Sequence, residues 1–407
     1  MKHISPIWAE ALPPPLPTHP GGTLRCDVAV VGAGFAGLSA ALHLLRRRPG
    51  ARVVVLEAGR VGAGASGATT GMLSPGVGQD LPGLIRRLGP GNARALYLAT
   101  LDAVRDAERL ARDEQIACEL ELCGQLVVAG HRSRRLERFT AALAGLGLPF
   151  EPRPGAVRLP VAGTLHPGKL LAGLVARVTK LGGVILEGSR VRSVGTTQPV
   201  SLELEHGTVV ADEVVIATAG FTPGLGVLTG RVLPVHLQVL VTAPIAHPWP
   251  GREGVLDARR LFSYWRLTND DRLVFGGGRP RYRWRGSTAP LAPKSSLERE
   301  LHHVFPDAHV EGGWTGVIGY VADALPAIHR WTRNPSVVHA VGWCGHGVAL
   351  SLASGAWVTK LLCDGAAPQD LPWFRAKPPH VPFEAVRWLS FRAAVGAMSL
   401  FDRMERR

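Results

Sequence analysis

Residues 27–57 constrain this chain more than any other stretch. Val28 to Val31 is a run of small and β-branched residues long enough for one buried strand. Gly32-x-Gly34-x-x-Gly37 follows at once, Leu38 to Leu45 carries a helical pattern, and Val53 to Leu56 reads as a second buried strand. Strand, tight turn, helix and returning strand make a βαβ unit. Gly32 permits the turn, Gly34 lets a pyrophosphate approach the backbone, and Gly37 allows the helix to pack closely on the strand. The helix start offers free N–H groups and the positive end of a dipole. Glu57 lies twenty residues after Gly37, where an acid accepts hydrogen bonds from ribose hydroxyls. The unit implies dinucleotide binding; the plainer alternative is a glycine-rich turn in an ordinary α/β unit.

At 407 residues the chain is long enough for two domains or more. All but six of its 46 basic residues are arginine, and the net charge is +14. Such a balance suits an anionic partner: nucleic acid, a membrane surface or a carboxylate substrate. The arginines are scattered, with no aromatic-interleaved basic stripe, which argues against nucleic acid and for a solvated basic face. Five cysteines without a CxxC pair support neither a disulfide framework nor a zinc site, so no metal is expected and a reducing, cytoplasmic compartment is. The long uncharged stretch Val337 to Thr359 holds two histidines and a glycine loop, so it reads as a buried strand, turn and helix rather than a membrane span.

Directly after Glu57 come Ala58, Arg60, Gly64, Ala65, Ser66, Thr70, Gly71 and Met72, in a loop rich in glycine and hydroxyls that can wrap a ligand with backbone N–H groups. With this loop the resemblance becomes specific. The GxGxxG unit, Glu57 and the Arg60–Gly67 loop resemble the FAD-binding start of the D-amino-acid-oxidase-like (DAO) flavoenzymes, on the branch of γ-glutamylputrescine oxidoreductase and the glycine and sarcosine oxidases. The lead-in with Trp8 and its prolines is similar to the same branch; Trp8 reads as an anchor for the arm or simply as a buried aromatic. Three later segments match in order: Thr218-Ala219-Gly220 resembles the small-residue turn beside FAD, Trp314 to Pro326 the tryptophan-glycine stretch before an Asp-x-x-Pro turn, and Gly345-His346-Gly347-Val348 the closing loop at the flavin pyrimidine edge. The resemblance also implies adenine contact near Val191 and FAD contacts by Phe35 and Ala36. His166 is either a functional group or a helix-start hydrogen-bonder.

The fold class implied is α/β: a Rossmann-like FAD-binding domain with an interleaved α+β substrate domain built on an antiparallel sheet. The expected division is an N-terminal arm (1–24), a discontinuous FAD domain (25–90, 157–222, 315–371), a substrate domain (91–156, 223–314) and a tail (372–407). Helices are expected over 91–117, 133–147 and 297–305. A hairpin from Leu261 to Phe275 is expected to end at Gly276–Gly278.

Only one dinucleotide unit is visible, so the substrate itself should reduce the flavin. The resemblance implies oxidation of a C–N bond in an amine or amino acid by hydride transfer to flavin N5, the imine then hydrolysing. Candidate catalytic residues are His346, Tyr264 and Arg266. Arg266 is either a bidentate clamp for a carboxylate or a solvent-facing strand arginine; His346 serves the flavin or makes a structural hydrogen bond. The chain departs from the sarcosine-oxidase pattern in two ways. Gly316 to Ala322 lacks the cysteine that attaches flavin, so FAD should be non-covalent. Val274 aligns with the lysine those members use for oxygen activation, so the electron acceptor, O2 or another, is open. Cys344 replaces a serine in the closing loop and reads as a small buried thiol. Phe383 to Met404, with Arg387, Arg392, Arg403 and Arg406, reads as an amphipathic helix that packs on its own protein or touches a membrane peripherally. Two other classes stay open: an RNA-modifying or RNA-binding protein on this flavin fold, and a membrane-associated dehydrogenase passing electrons to quinone.

Overall fold

The computed structural model describes residues 2–129, 134–246, 249, 251–366 and 371–405. Residue 133 of the expected second helix and Arg406 of the tail lie outside these. In β1 (Thr23–Val31), Val28 and Val30 face one apolar cluster and Ala29 and Val31 another, so the strand is buried on both faces. Each buried valine contributes roughly 1.5–3 kcal/mol. At Gly32 the backbone turns with φ +105°, and a Cβ there would lie 2.8 Å from the Ala217 carbonyl oxygen. α1 (Phe35–Arg47) starts at once, and β2 (Val53–Leu56) returns parallel to β1.

Residues 58–74 are more ordered than a loop, holding the one-turn α2 (Ala65–Ala68) and the two-residue β3 (Met72–Leu73). α3 (Leu81–Asp113) is capped by the Asp80 side chain, which accepts from Gly83 N. It breaks at Gly89 (φ 78°), just before Pro90. The helix expected over 91–117 is thus the second arm of a longer, kinked one. Then come β4 (Gln125–Val128), α4 (Arg134–Gly145), β5 (Glu151–Arg153), β6 (Ala156–Leu159) and β7 (Gly163–Thr164). α5 (Pro167–Lys180), β8 (Val184–Leu186), β9 (Val191–Val194), β10 (Val200–Leu204) and β11 (Gly207–Ile216) follow. Next are β12 (Leu233–Pro244), β13 (Gly254–Asp257), β14 (Tyr264–Leu267), β15 (Arg272–Tyr282), α6 (Ser295–Val304) and β16 (Val310–Tyr320). β17 (Ala327–Trp331), β18 (Asn334–Val341), α7 (Gly347–Asp364) and α8 (Glu384–Met404) complete the chain.

Two large sheets result. The first has the order β17-β18-β11-β1-β2-β8, with β9 and β10 added beside β11; β18, β11, β1, β2 and β8 run parallel. The helices α1, α3, α5 and α7 share one apolar cluster with Val28 and Val30 on one face of this sheet. The second has the order β16-β12-β15-β14-β13-β4-β6-β5. It is antiparallel as expected except where β13 pairs parallel with β4, which comes from the earlier segment of the chain. The chain therefore leaves the first sheet after α1, β2 and α2, returns for β8 to β11, leaves again, and closes with β17 and β18. β6 and β16 run past the boundaries placed at 157 and 315, because their hydrogen bonds keep them in the second sheet to Leu159 and Tyr320.

Two local expectations need correction. The strand placed from Leu261 begins only at Tyr264, because Arg260 N and Leu261 N turn aside to donate to the Asp402 carboxylate. β15 does not stop at Gly276–Gly278 but runs to Tyr282. The glycines make room instead: a Cβ on Gly276 would lie 2.3 Å from Tyr264 Cζ, and one on Gly277 would lie 2.8 Å from Ser263 Oγ.

Burial pushes three histidines below their ordinary 6.5: His339 to about 3, and His43 and His346 to about 4. Folded, they are neutral at pH 6; unfolded, they bind protons as pH falls through 6.5. Their stabilising contribution is present above that value and is lost as pH drops toward 4, at up to about 1.4 kcal/mol per pH unit for each. The melting temperature is expected to fall steadily from pH 6.5 to 4, and His339→Leu to shallow that slope. Melting curves of the two proteins across this range check it; equal slopes would remove His339 from the account.

Candidate functional site

The first turn of α1 and the loop after β2 meet. Phe35 N donates to Ser66 Oγ at 2.9 Å, and a Cβ on Gly34 would lie 2.9 Å from the same oxygen. Gly37 must be glycine, since its Cβ would come within 1.8 Å of the Gly32 carbonyl oxygen. The remaining first-turn N–H groups of α1, among them those of Ala36 and Gly37, have no acceptor inside the helix. Glu57 accepts from Ala33 N (3.0 Å) and Gly59 N (2.9 Å), which orients its carboxylate beside the glycine turn. Gly64 has nothing within 4 Å of where a Cβ would be, so this part of the loop faces open space. Glycines backed by protein, a glycine open in front, a hydroxyl and a helix start are what a pyrophosphate requires. The residues present therefore fit the dinucleotide that the spacing implies.

Arg60 is tied to the N-terminal arm. It donates to the Pro13 carbonyl at 2.7 Å, and its Nε lies 3.5 Å from Glu187, so it fastens the N-terminal arm. Glu187 is buried and accepts from Leu16 N and Val61 N. Neither the arm contact of Arg60 nor the part of Glu187 was legible in the spacing. Val191 is buried at the start of β9. Thr218 shares a 2.9 Å hydroxyl contact with Thr222, and Gly220 passes so close to β16 that a Cβ would lie 2.7 Å from the Ile318 carbonyl oxygen.

Arg266 is neither a free carboxylate clamp nor a solvent-facing arginine. It is 4% exposed and gives its donors to three carbonyls: Thr70 at 2.6 Å, Leu165 at 2.7 Å and Leu267 at 3.3 Å. Its Cζ lies 5.1 Å from the Trp8 ring centre. Burial lowers its pKa to about 10, which leaves it charged at neutral pH. Strand alternation does put Arg266 on the same face as Tyr264, but that face is covered by the loop at Thr70–Gly71. Two indoles complete the arrangement: Trp8 Nε1 donates to Thr69 O (2.8 Å) and Trp314 Nε1 to Ala68 O (2.9 Å). Three consecutive carbonyls are thus each held by a donor from a different part of the chain. Trp8 is the anchor of the arm. Met72 follows the clamp and lies against Gly254 of the second sheet. His166 resolves as a helix-start residue, its Nδ1 accepting from Lys169 N at 3.2 Å.

In the closing loop Gly345 has φ +93° and open space where a Cβ would be, and α7 begins at Gly347 with Val348 buried behind it. His346 lies beside Gly76, 3.6 Å from its Cβ position. Its Nδ1 is buried without a hydrogen-bond partner. Burial pushes the imidazole down to about 4, against a small lift from the Cys344 backbone, so it is neutral at neutral pH. Cys344 is the small buried thiol expected: Val321 N donates to its sulfur at 3.3 Å, the sulfur donates to Gly342 O, and burial holds it un-ionised with a pKa near about 12. Asp323 of the Asp-x-x-Pro turn pairs with Arg375, which also donates to the carbonyls of Leu325 and Pro326. Tyr264 lies with its phenol end over Gly276, and burial raises its pKa to about 12.

The chain resembles known proteins in sequence and in fold. The family model described as "DAO: FAD dependent oxidoreductase" matches residues 27–361. Gamma-glutamylputrescine oxidoreductase of Escherichia coli (strain K12) is 28% identical over 414 residues, covering 94% of each chain. Glycine oxidase of Geobacillus kaustophilus is 27% identical over 84% of this chain and 93% of its own. Its crystal structure superposes with TM-score 0.71 at 23% identity, covering 88% of this chain and all of that one. L-proline dehydrogenase from P. horikoshii superposes with TM-score 0.70 at 18% identity, covering 88% of this chain and 97% of that one. The family model, matched over most of the chain, makes it a flavin-dependent oxidoreductase. The chain belongs to the DAO family of FAD-dependent oxidoreductases.

Replacing Arg266 by methionine would leave buried carbonyls without donors, a loss of about 2–5 kcal/mol. The variant is expected to melt several degrees lower and to lose FAD on gel filtration, with Arg266→Lys intermediate. A carboxylate clamp would instead raise KM and leave melting unchanged, so thermal denaturation and flavin absorbance separate the two.

Proposed function

We propose that this chain oxidises a C–N bond of a small amine or amino acid, with FAD held non-covalently by the glycine turn, Glu57, the Gly64–Met72 loop, Val191, Thr218–Gly220 and the Gly345–Val348 loop. The docking of Ser66 onto the first turn of α1 carries this reading, because it brings two glycine-rich segments to one anion-binding helix end. The names of the relatives, which act on amines and amino acids, support the substrate class. In this reading the first sheet and its helices are the FAD domain and the second sheet is the substrate domain. Cytoplasmic residence belongs to the same reading and fits five unpaired cysteines. Neither the RNA-binding nor the quinone-linked alternative finds support among the relatives.

FAD, when bound, would accept the hydride of the substrate's C–H bond as the nitrogen lone pair forms C=N, and water would then convert the imine to a carbonyl compound and the free amine or ammonia. The protein orients that C–H bond and excludes water. A neutral His346 offers Nδ1 as a free hydrogen-bonding atom, and the N-terminal end of α7 favours negative charge on the reduced cofactor. Tyr264 stays protonated and can donate to a substrate oxygen. No protein acid–base pair is required, since the substrate nitrogen must only be unprotonated.

The test is anaerobic bleaching of the flavin absorbance by a panel of amines, polyamine conjugates and amino acids. At least one is expected to bleach it; a panel that leaves the flavin oxidised would sink the amine reading. His346→Asn is expected to keep FAD and slow bleaching at least tenfold. Burial holds His346 down at about 4 and pushes Tyr264 up to about 12. Between about pH 6 and 10 the bleaching rate should therefore follow the substrate's own amine, rising tenfold per unit up to that amine's pKa. Two substrates of different amine pKa should shift the profile accordingly. With a buried Val274 at the position that the resemblance to the sarcosine-oxidase type assigns to a lysine, reoxidation by O2 is expected to be slower than reduction, and peroxide release at turnover speed would contradict this.

A further inference from the structure

Half of the large apolar side chains that stand exposed among the described residues lie between Phe383 and Met404. Five of them belong to α8, whose inner face is well anchored, and the sixth, Phe383, precedes its first turn. Asp402 accepts from Arg260 N and Leu261 N at 3.0 and 2.9 Å, and Glu384 accepts from Tyr282 Oη at 3.1 Å and from Arg285 N at 2.6 Å. Trp388 and Phe391 pack on the cluster of Leu233, Val235 and Tyr282. At 100° per residue, Val386, Leu389, Ala393, Ala397, Leu400 and Met404 fall in one stripe on the opposite side. Leu389, Leu400 and Met404 are 59%, 57% and 62% exposed. A helix held this firmly has no reason to show so continuous an apolar face unless something covers it.

Charge says what covers it. The acids of this segment are all engaged inside the protein: Glu384 and Asp402 as above, and Glu405 with Arg260. Arg392 and Arg403 flank the stripe on one side, and neither makes an ion pair with a described residue. Arg392 lies over the Trp388 ring, 4.5 Å from its centre. Arg406 and Arg407 follow in the sequence. A stripe without a polar side chain, edged by cations and aromatic rings, matches the acyl boundary of a bilayer and its phosphates. A second copy of the same face would set arginines against arginines. No described helix is long and apolar enough to cross a membrane, which leaves α8 to lie in the plane.

We propose that α8 docks this protein peripherally on an anionic phospholipid bilayer, its Leu389–Leu400–Met404 stripe in the acyl boundary and Arg392 and Arg403 at the phosphates. The proposal does not rest on the redox reading. The FAD-loaded full chain is sedimented with phosphatidylcholine vesicles with and without about a third phosphatidylglycerol. It is expected to pellet with the anionic vesicles, and at least tenfold less with the neutral ones or in high salt. The double variant L389E/L400E, on exposed positions, should stay in the supernatant with its melting curve and flavin spectrum unchanged; R392E/R403E should weaken pelleting. Wild-type protein that ignores anionic vesicles overturns the proposal, as does a double variant that still pellets. A dimer in sedimentation velocity that L389E/L400E dissociates, without vesicle binding, would show that a second copy covers the face instead.

Discussion

Three neighbouring carbonyls at the end of α2 hold the two halves of this protein in register. Ala68 O, Thr69 O and Thr70 O accept from Trp314 of β16, Trp8 of the arm and Arg266 of β14. The last carbonyls of a helix have no partner within it, so a one-turn helix ends with acceptors to spare. Buried, they would each cost about 1–3 kcal/mol unsatisfied. Here the second sheet and the arm satisfy them, so this loop cannot be placed correctly until both sheets are. The same guanidinium reaches Leu165 just ahead of α5, which ties a third segment to the clamp.

That arrangement explains the choice of residue types. Arginine presents several donors in a rigid plane and stays charged when buried, whereas lysine would reach one carbonyl. Indoles bring one donor each on a large apolar body, which suits an interface that is dry except at the acceptor. The glycines serve the same end from the other side. Gly316 faces Ala68, Gly220 faces Ile318, and Gly276 yields to Tyr264, so backbone can pass where side chains would collide. Close approach where the two sheets meet is met by these small residues.

Much of the site was legible because it is local. The glycine spacing, Glu57 and the Ser66 loop lie within about forty residues, and turn chemistry and phosphate binding act over that range. The Gly345–Gly347 loop was legible as a strand–glycine–helix junction for the same reason. Arg266 was not. Alternation along β14 places it with Tyr264, yet nothing in the strand says whether that face meets solvent, substrate or backbone. The glycines of β15 misled in the same way: read locally they end a strand, but they are there because Tyr264 and Ser263 of β14 need the space. The kink at Gly89–Pro90 was written in the chain, but the pattern alone did not show that a helix continued on its far side.

The sequence by itself determined the βαβ glycine unit with its acid-ended strand and the amphipathic helix near the C-terminus, while the resemblance carried by its motifs implied the rest of the FAD-binding frame. The unit and the helix follow from periodicity and spacing, which are properties of neighbours along the chain. Tertiary structure alone decided which donors meet which carbonyls, which glycines yield to which side chains, and which face of α8 stays uncovered. Those depend on distances between residues up to some 250 positions apart, as between Ala68 and Trp314, and such pairs are chosen only when the sheets close on one another.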